Sequence, residues 1–295
     1  MDTCIRAQRS HLKYRSMTLP ISPLTPSELE ITPRNLSISF PETIPRHWLG
    51  GNPVATHWFN ALSTVLPVGE DFFIYALREA RKDIEDAELR QMIKSFIAQE
   101  AFHSREHKKY NQWLKTWGYD IDGMERNNDR VTSVRRKMSR DQLLAVTLAF
   151  EHLTSILSAA TLRHNLMAEA DPNMKMLWNW HSVEEIEHKS VAWEVYSALG
   201  ASYRLRVGCM SLAIVALLGI RVNLRLAYFL FKDGLLFRPK IWLQGLRFAF
   251  GKKGIFRLIK DELFAFYRRD FHPWQQNTLF LTIKEIAEIE KYNAA

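Results

Sequence analysis

Cysteine is nearly absent from this chain of 295 residues: Cys4 and Cys209 are the only two, too few for a disulfide framework. Glycine and proline are scarce as well, with 12 and 11 occurrences, and most of the prolines lie before residue 68. The long stretches that follow can therefore run as helices with few breaks. One apolar stretch runs from Val207 to Ile220 before Arg221 and Arg225 interrupt it. A membrane-spanning helix needs about 20 apolar positions, more than this run offers, so spanning is not expected. The opening segment "MDTCIRAQRSHLKYRSM" lacks the apolar core of a signal peptide. A reducing, cytoplasmic compartment is the expectation.

What the chain does contain is 47% apolar residues and 12% aromatic ones, enough for a large core and against disorder over most of its length. Apolar spacing predicts an all-α protein. Residues 1–45 carry Ser, Thr and Pro without helical periodicity and read as an extended arm across the surface. Four long helical patterns fill 46–200, at about 51–84, 86–118, 140–165 and 171–200. Pro67 and Gly69 should interrupt the first just before Glu70, Gly118 should end the second, and Asp171, Pro172 and Gly200 should cap, start and stop the fourth. The polar stretch 119–139 is long enough to cross between two helix pairs. Residues 201–295 form a separate helical cap or membrane-surface segment, with 16 Lys and Arg against 7 Asp and Glu, or +9 of the chain's net +8. The rest of the chain is close to neutral.

The chemistry is concentrated in a few positions. In "HSVEEIEHKS" the residues His181, Glu185 and His188 lie at i, i+4 and i+7, within roughly 60° on one helix face, whereas Glu184 and Glu187 leave that face. Glu185 and His188 form a Glu-x-x-His step, and Glu100 with His103 repeats it on a helix earlier in the chain. The other two helices each carry one glutamate inside apolar sequence, Glu70 in "LPVGEDFFIYAL" and Glu151 in "LLAVTLAFEHLTSIL". A buried carboxylate costs several kcal/mol unless something compensates it, and no Lys or Arg is adjacent to either. A metal would compensate. Each half of the chain thus has a lone Glu followed by Glu-x-x-His, and the interval from Glu70 to Glu100 is close to that from Glu151 to Glu185. This is an internal repeat of helix-hairpin size.

This six-residue pattern resembles the ferritin-like di-iron or di-manganese carboxylate proteins over residues 46–200. The resemblance implies a four-helix bundle and a dinuclear site held by Glu70, Glu100, His103, Glu151, Glu185 and His188. His181 resembles the additional histidine of the p-aminobenzoate N-oxygenase branch, which implies a seventh ligand; the alternative is a residue supporting the ligands. His107, four beyond His103, is a further candidate, while His152 and His164 are out of register and read as ordinary structural residues. The whole chain also resembles a bacterial family described as predicted metal-dependent hydrolases, through "PVGE" before an aromatic pair, both Glu-x-x-His helices and "YRRDFHPW" at Tyr267 to Trp274.

Two iron ions are the expected cofactors, with manganese or an iron–manganese pair as alternatives, since oxygen-rich donors with imidazole suit these metals. The leading expectation is O2-dependent oxidation of a small organic or lipid-like substrate. A metal-dependent hydrolase is the alternative, and metal binding without turnover a third reading. Small or hydroxylic residues one turn from Glu151 (Thr147, Thr154, Ser155) and apolar ones near the other ligands (Phe73, Phe96, Val191) suggest an apolar pocket. The basic C-terminal third is expected to touch a membrane surface from the inner, cytoplasmic side, or else to cap the bundle; no nucleic-acid motif accompanies it. His272, in "HPW", is expected to anchor this segment. Oligomeric state is left open.

Overall fold

A computed structural model describes residues 21–294, so Cys4 and the reading of the opening segment lie outside the described part. The described residues contain helices and no strand, and the all-α expectation is borne out. The expected first helix is two, α1 (Pro53–Ser63) and α2 (Leu66–Ala80). The interruption falls at Thr64 and Val65, ahead of Pro67 in the first turn of α2, where its missing N–H costs nothing. Asn52 caps α1 by accepting from the amides of Val54 and Ala55. Helix α3 (Ala87–Thr116) ends just before Gly118, whose φ of +79° is a left-handed conformation that glycine adopts without strain.

The polar crossover is itself helical, α4 (Ile121–Thr132) and a following tight turn. Its start is fixed from a distance: the Tyr119 hydroxyl donates to Asp233 (2.8 Å), and the Asp120 amide donates to the Tyr228 hydroxyl (2.8 Å). Helix α5 (Arg140–Arg163) begins with a reciprocal Ser139/Gln142 capping box. The fourth pattern gives α6 (Pro172–His188), capped by Asp171 as expected, and then breaks before α7 (Val191–Ala198), where a continuous helix was expected. The cause is tertiary. Trp274 donates its indole N–H to Ser190 (2.9 Å) and Lys189 donates to the Gln276 carbonyl (2.8 Å), so the C-terminal segment grips the chain at the break.

Helix α2 packs on α3 and α5, α5 on α6, and α3 on α6 and α7, so the four glutamate-bearing helices meet around one interior. Across them runs an extended strap, residues 21–45, with Leu36 and Ile38 buried and the Ile38 amide donating to buried Glu106 (2.8 Å).

Beyond Gly200 the helix α8 (Tyr203–Ala213) passes through a wider π-helical segment (Ile214–Arg221) into α9 (Val222–Lys232). The arginines that interrupt the apolar run do not end it. Arg225 turns inward and donates to Thr64 (2.6 Å), and Arg221 donates to Asn128 (3.2 Å), so both guanidinium groups are met by the bundle. Among the described residues two helices are long and apolar enough to cross a membrane, α5 and the continuous helix Tyr203–Lys232; α5 is a core helix with 78% of its apolar window buried, against 28% for the other. Amphipathic α10 (Pro239–Phe250) and α11 (Ile255–Ala265) follow, then α12 (Ile283–Ala294) against α6. His272 anchors the connecting segment, 3.1 Å from Glu194 and accepting from the Trp274 amide.

Candidate metal centre

The seven residues singled out above come together. Glu70 sits on α2, Glu100 and His103 on α3, Glu151 on α5, and His181, Glu185 and His188 on α6; every one is at most 3% exposed. Their ligating atoms fall into overlapping groups in which all atoms lie within 4.8 Å of one another: Glu100, Glu151 and His188; Glu70, Glu100 and His103; His103, His181 and Glu185. A fourth group joins Glu70 and His181 to His107, so His107 belongs to the cluster. His164 is exposed, and His152 is turned elsewhere, bonded to the Glu262 carbonyl (3.0 Å).

Within the cluster, His188 Nε2 is 3.1 Å from Glu100, 3.3 Å from Glu151 and 3.5 Å from Glu185, and His181 Nε2 is 3.3 Å from Glu185. These are ion-pair distances without hydrogen-bond alignment. Both carboxylate oxygens of Glu70, Glu100 and Glu151 are buried with no hydrogen-bond partner, as are His107 Nε2 and His188 Nε2. Protein interiors rarely tolerate even one such group, because each forfeits its hydration without replacement. So many lone pairs aimed at one small volume are what metal cations would satisfy. Four carboxylates supply −4, and two divalent ions at +2 each would balance that charge.

The electrostatics carry the same signature. Burial, and then the neighbouring carboxylates, push Glu70 and Glu100 well above the usual carboxylate range; burial raises Glu151 to about 7 against the pull of His188. Burial alone would raise Glu185 too, but the His181 and His188 rings outweigh it and hold its carboxyl well below normal. His103 and His107 are held neutral by burial and by the nearby His181 ring. His188 goes the other way, since Glu151 and Glu185 overcome its burial. In the metal-free protein its imidazolium is the cation the carboxylates lack.

Around the cluster lies a layer that sequence reasoning missed. His188 Nδ1 donates to Gln99 (3.0 Å), Gln99 donates to Glu187 (2.9 Å), and Glu187 accepts from both terminal guanidinium nitrogens of Arg34 (2.9 and 2.7 Å). The relay orients the His188 ring so that Nε2 faces the carboxylates, and it keeps a proton on Nδ1 when the ring is neutral. Glu184 accepts from the Arg34 amide (2.8 Å), and its other oxygen is 3.1 Å from His103 Nε2. Ser63 likewise holds His107 Nδ1 (2.9 Å). Glu184 and Glu187 do leave the ligand face, as expected, but they are buried rather than solvated, Glu184 touching His103 from behind and Glu187 reaching His188 through Gln99. One signal could have revealed this: Trp178, Trp180, Val183 and Ile186 point in different directions around α6, and a helix apolar on all sides is buried on all sides.

A narrow apolar cavity adjoins the cluster. Trp58, Phe59, Leu62, Phe73, Phe150 and Trp178 wall it, His181 and Thr154 lie on its lining, and Leu217 of the π-helical segment closes one side. Of the residues expected to shape such a pocket, Phe73 and Thr154 do so. Phe96 instead packs on the His188 ring at 4.6 Å, Val191 is core, and Ser155 lines a different cavity beside Lys189.

Fold and centre together define an all-α protein with a buried carboxylate and imidazole cluster of the kind that holds metal ions. The chain belongs to the family described as predicted metal-dependent hydrolase, whose model matches residues 32–277. That range contains every residue of the cluster and the Arg34 relay. No curated protein and no solved structure matches the chain.

Proposed function

We propose that the protein is a dinuclear non-haem metalloenzyme of ferritin-like type that uses two iron ions and O2 to oxidise a small apolar or lipid-like molecule. The observation that carries this reading is the apolar cavity bordered by His181 beside carboxylate oxygens that no protein group satisfies. Glu100, Glu151 and His188 would hold one ion, and His103, His181 and Glu185 the other, with Glu70 and His107 at its flank. When bound, such a metal pair supplies electrons to O2 and oxidising power to the substrate. The chain's own residues do the rest. The aromatic walls bind the substrate and exclude water, Gln99 and Glu184 orient the ligand imidazoles, and uptake of metal displaces the protons that burial keeps on Glu70, Glu100 and Glu151.

The family's description favours a second reading, hydrolysis with a water activated by the same metals. One experiment separates the two. Protein purified without chelator is analysed for metal, reduced without air, then mixed with O2 while its absorbance and oxygen uptake are followed. Two iron ions per chain and oxygen consumption are expected. A tightly held redox-inert metal with no oxygen uptake overturns the oxidative reading and leaves the hydrolytic one.

For His181 the expected role is direct ligation. Protein with His181→Ala should still hold two ions through the remaining groups but react with O2 at a changed rate. An experimental metal-bound structure with the His181 nitrogens more than about 3 Å from either ion, against the roughly 2.0–2.1 Å of a metal–imidazole bond, excludes it.

A further inference from the structure

We propose that the outer face of α10 and the loop before it form a docking surface for an anionic lipid bilayer. Trp242, Leu243, Leu246 and Phe250 are 58%, 49%, 60% and 65% exposed, and at 100° per residue they share about 100° of arc. Phe237, in the preceding loop, is 82% exposed. The opposite side of α10 is the packed one: Ile241 is buried with Val54 and Leu230, and Phe248 meets the Trp58 ring at 5.5 Å. So α10 is seated firmly on α1 and presents large apolar side chains to water; Trp242 donates its indole N–H to the Leu236 carbonyl (2.8 Å) and Phe250 stacks on Phe256 at 5.5 Å, yet both stay more than half exposed. A contiguous apolar face of this kind marks an interaction surface.

Charge selects the occupant. From Phe231 to Arg257 the chain has seven Lys or Arg (Lys232, Arg238, Lys240, Arg247, Lys252, Lys253 and Arg257) against one acid, Asp233. That acid is spent inside the fold, where it accepts from His47 (2.8 Å), His57 (2.9 Å), Arg46 (3.0 Å) and Tyr119 (2.8 Å). Arg247 and Lys240 border the apolar arc, and Lys252 and Lys253 follow its end. A helix with aromatic and aliphatic residues on one face and cations at its edges lies in the headgroup region of an anionic membrane. A second copy of this chain fits poorly, because a two-fold contact would set the same basic rim against itself.

The helix lies on the membrane and does not cross it. With 12 residues, α10 is about 18 Å long against the roughly 30 Å of a hydrocarbon core. The longer helix Tyr203–Lys232 is held along the bundle by its contacts with α5 and α1, with Arg206 and Arg225 buried on that side.

The test uses the full chain and is independent of which metal it holds. Co-sedimentation is measured with vesicles of phosphatidylcholine alone and of phosphatidylcholine with phosphatidylglycerol. The parent should bind the anionic vesicles at least about tenfold more tightly than the neutral ones, and lose that preference at high salt. Replacing Phe237, Leu243 and Leu246 together with serine should lower binding at least about tenfold with an unchanged circular dichroism spectrum, because these exposed side chains belong to no part of the packed core. Replacing Arg247, Lys252 and Lys253 with glutamine should remove the preference for anionic vesicles. Equal binding to both vesicle types, or serine and glutamine variants that bind as the parent does, overturns the proposal. So does a parent dimer that ignores vesicles and becomes monomeric in the serine variant, which would make the face a self-association surface.

Discussion

Glu100→Ala and Glu185→Ala are each expected to strip most of the bound metal while leaving the helix content intact. Each residue faces the cluster from within its helix and caps neither end. Metal analysis with circular dichroism checks this, and full metal content in both variants would remove the site from this position. The metal-free forms should respond with opposite signs to the conservative change to glutamine. Glu100 is held protonated by burial and by Glu151, so its folded pKa lies above that of the unfolded chain. Its contribution to stability is then present below about pH 4.5 and lost as pH rises. Removing that cost, Glu100→Gln should stabilise the metal-free protein by about 1–3 kcal/mol at pH 7, and by less at pH 5. Glu185 is the reverse case, since its carboxylate is favoured by His181 and His188 over the penalty of burial. Glu185→Gln should destabilise the same form by about 1–3 kcal/mol at pH 7. Chemical denaturation of chelator-treated protein at both pH values reads both signs, and two shifts of equal sign would refute the charge arrangement described for the cluster.

Arg34→Ala should have the largest effect of any change outside the cluster. Its guanidinium is the shared cation of Glu184 and Glu187, which are buried beneath it, and its side chain is only 13% exposed. Removing one partner of a buried pair leaves a charge without compensation, at a cost of about 3–5 kcal/mol. Burial already raises Glu184 to about 8 in spite of Arg34, so loss of the cation should protonate it further and slacken its contact with His103. Arg34→Lys keeps the charge but not the two-pronged contact, and should fall between the parent and Arg34→Ala. Because Glu184 and Glu187 act through His103 and, by way of Gln99, His188, Glu184→Ala and Glu187→Ala should each weaken metal binding by about 10–100-fold. Sequence reading alone expects both to keep their metal, because they leave the ligand face. Metal titration of the two variants decides between a shell that tunes the ligands and one that only fills space.

Much of the centre was legible because its information is local. The Glu-x-x-His steps at Glu100 and Glu185 are fixed by helical geometry once the helices exist, and the apolar flanks of Glu70 and Glu151 announce burial without any partner. The end of α3 at Gly118 and the start of α6 at Asp171 were equally plain, since caps act through backbone geometry within a turn. The break after His188 was not, because no proline or glycine marks it and its cause is Trp274, far along the chain from Ser190.

By itself, then, the sequence determined the helical class, the repeated carboxylate and imidazole pattern, and the concentration of positive charge beyond residue 200. Tertiary structure alone decided that the strap brings Arg34 onto Glu184 and Glu187, that His107 joins the cluster, and that Arg221 and Arg225 fold inward and let one helix run through them. It also decided which face of α10 stays bare. Periodicity records which side of a helix is apolar, but the partner that covers that side, or fails to, is set by segments far apart in the chain whose approach is fixed only when the whole core packs.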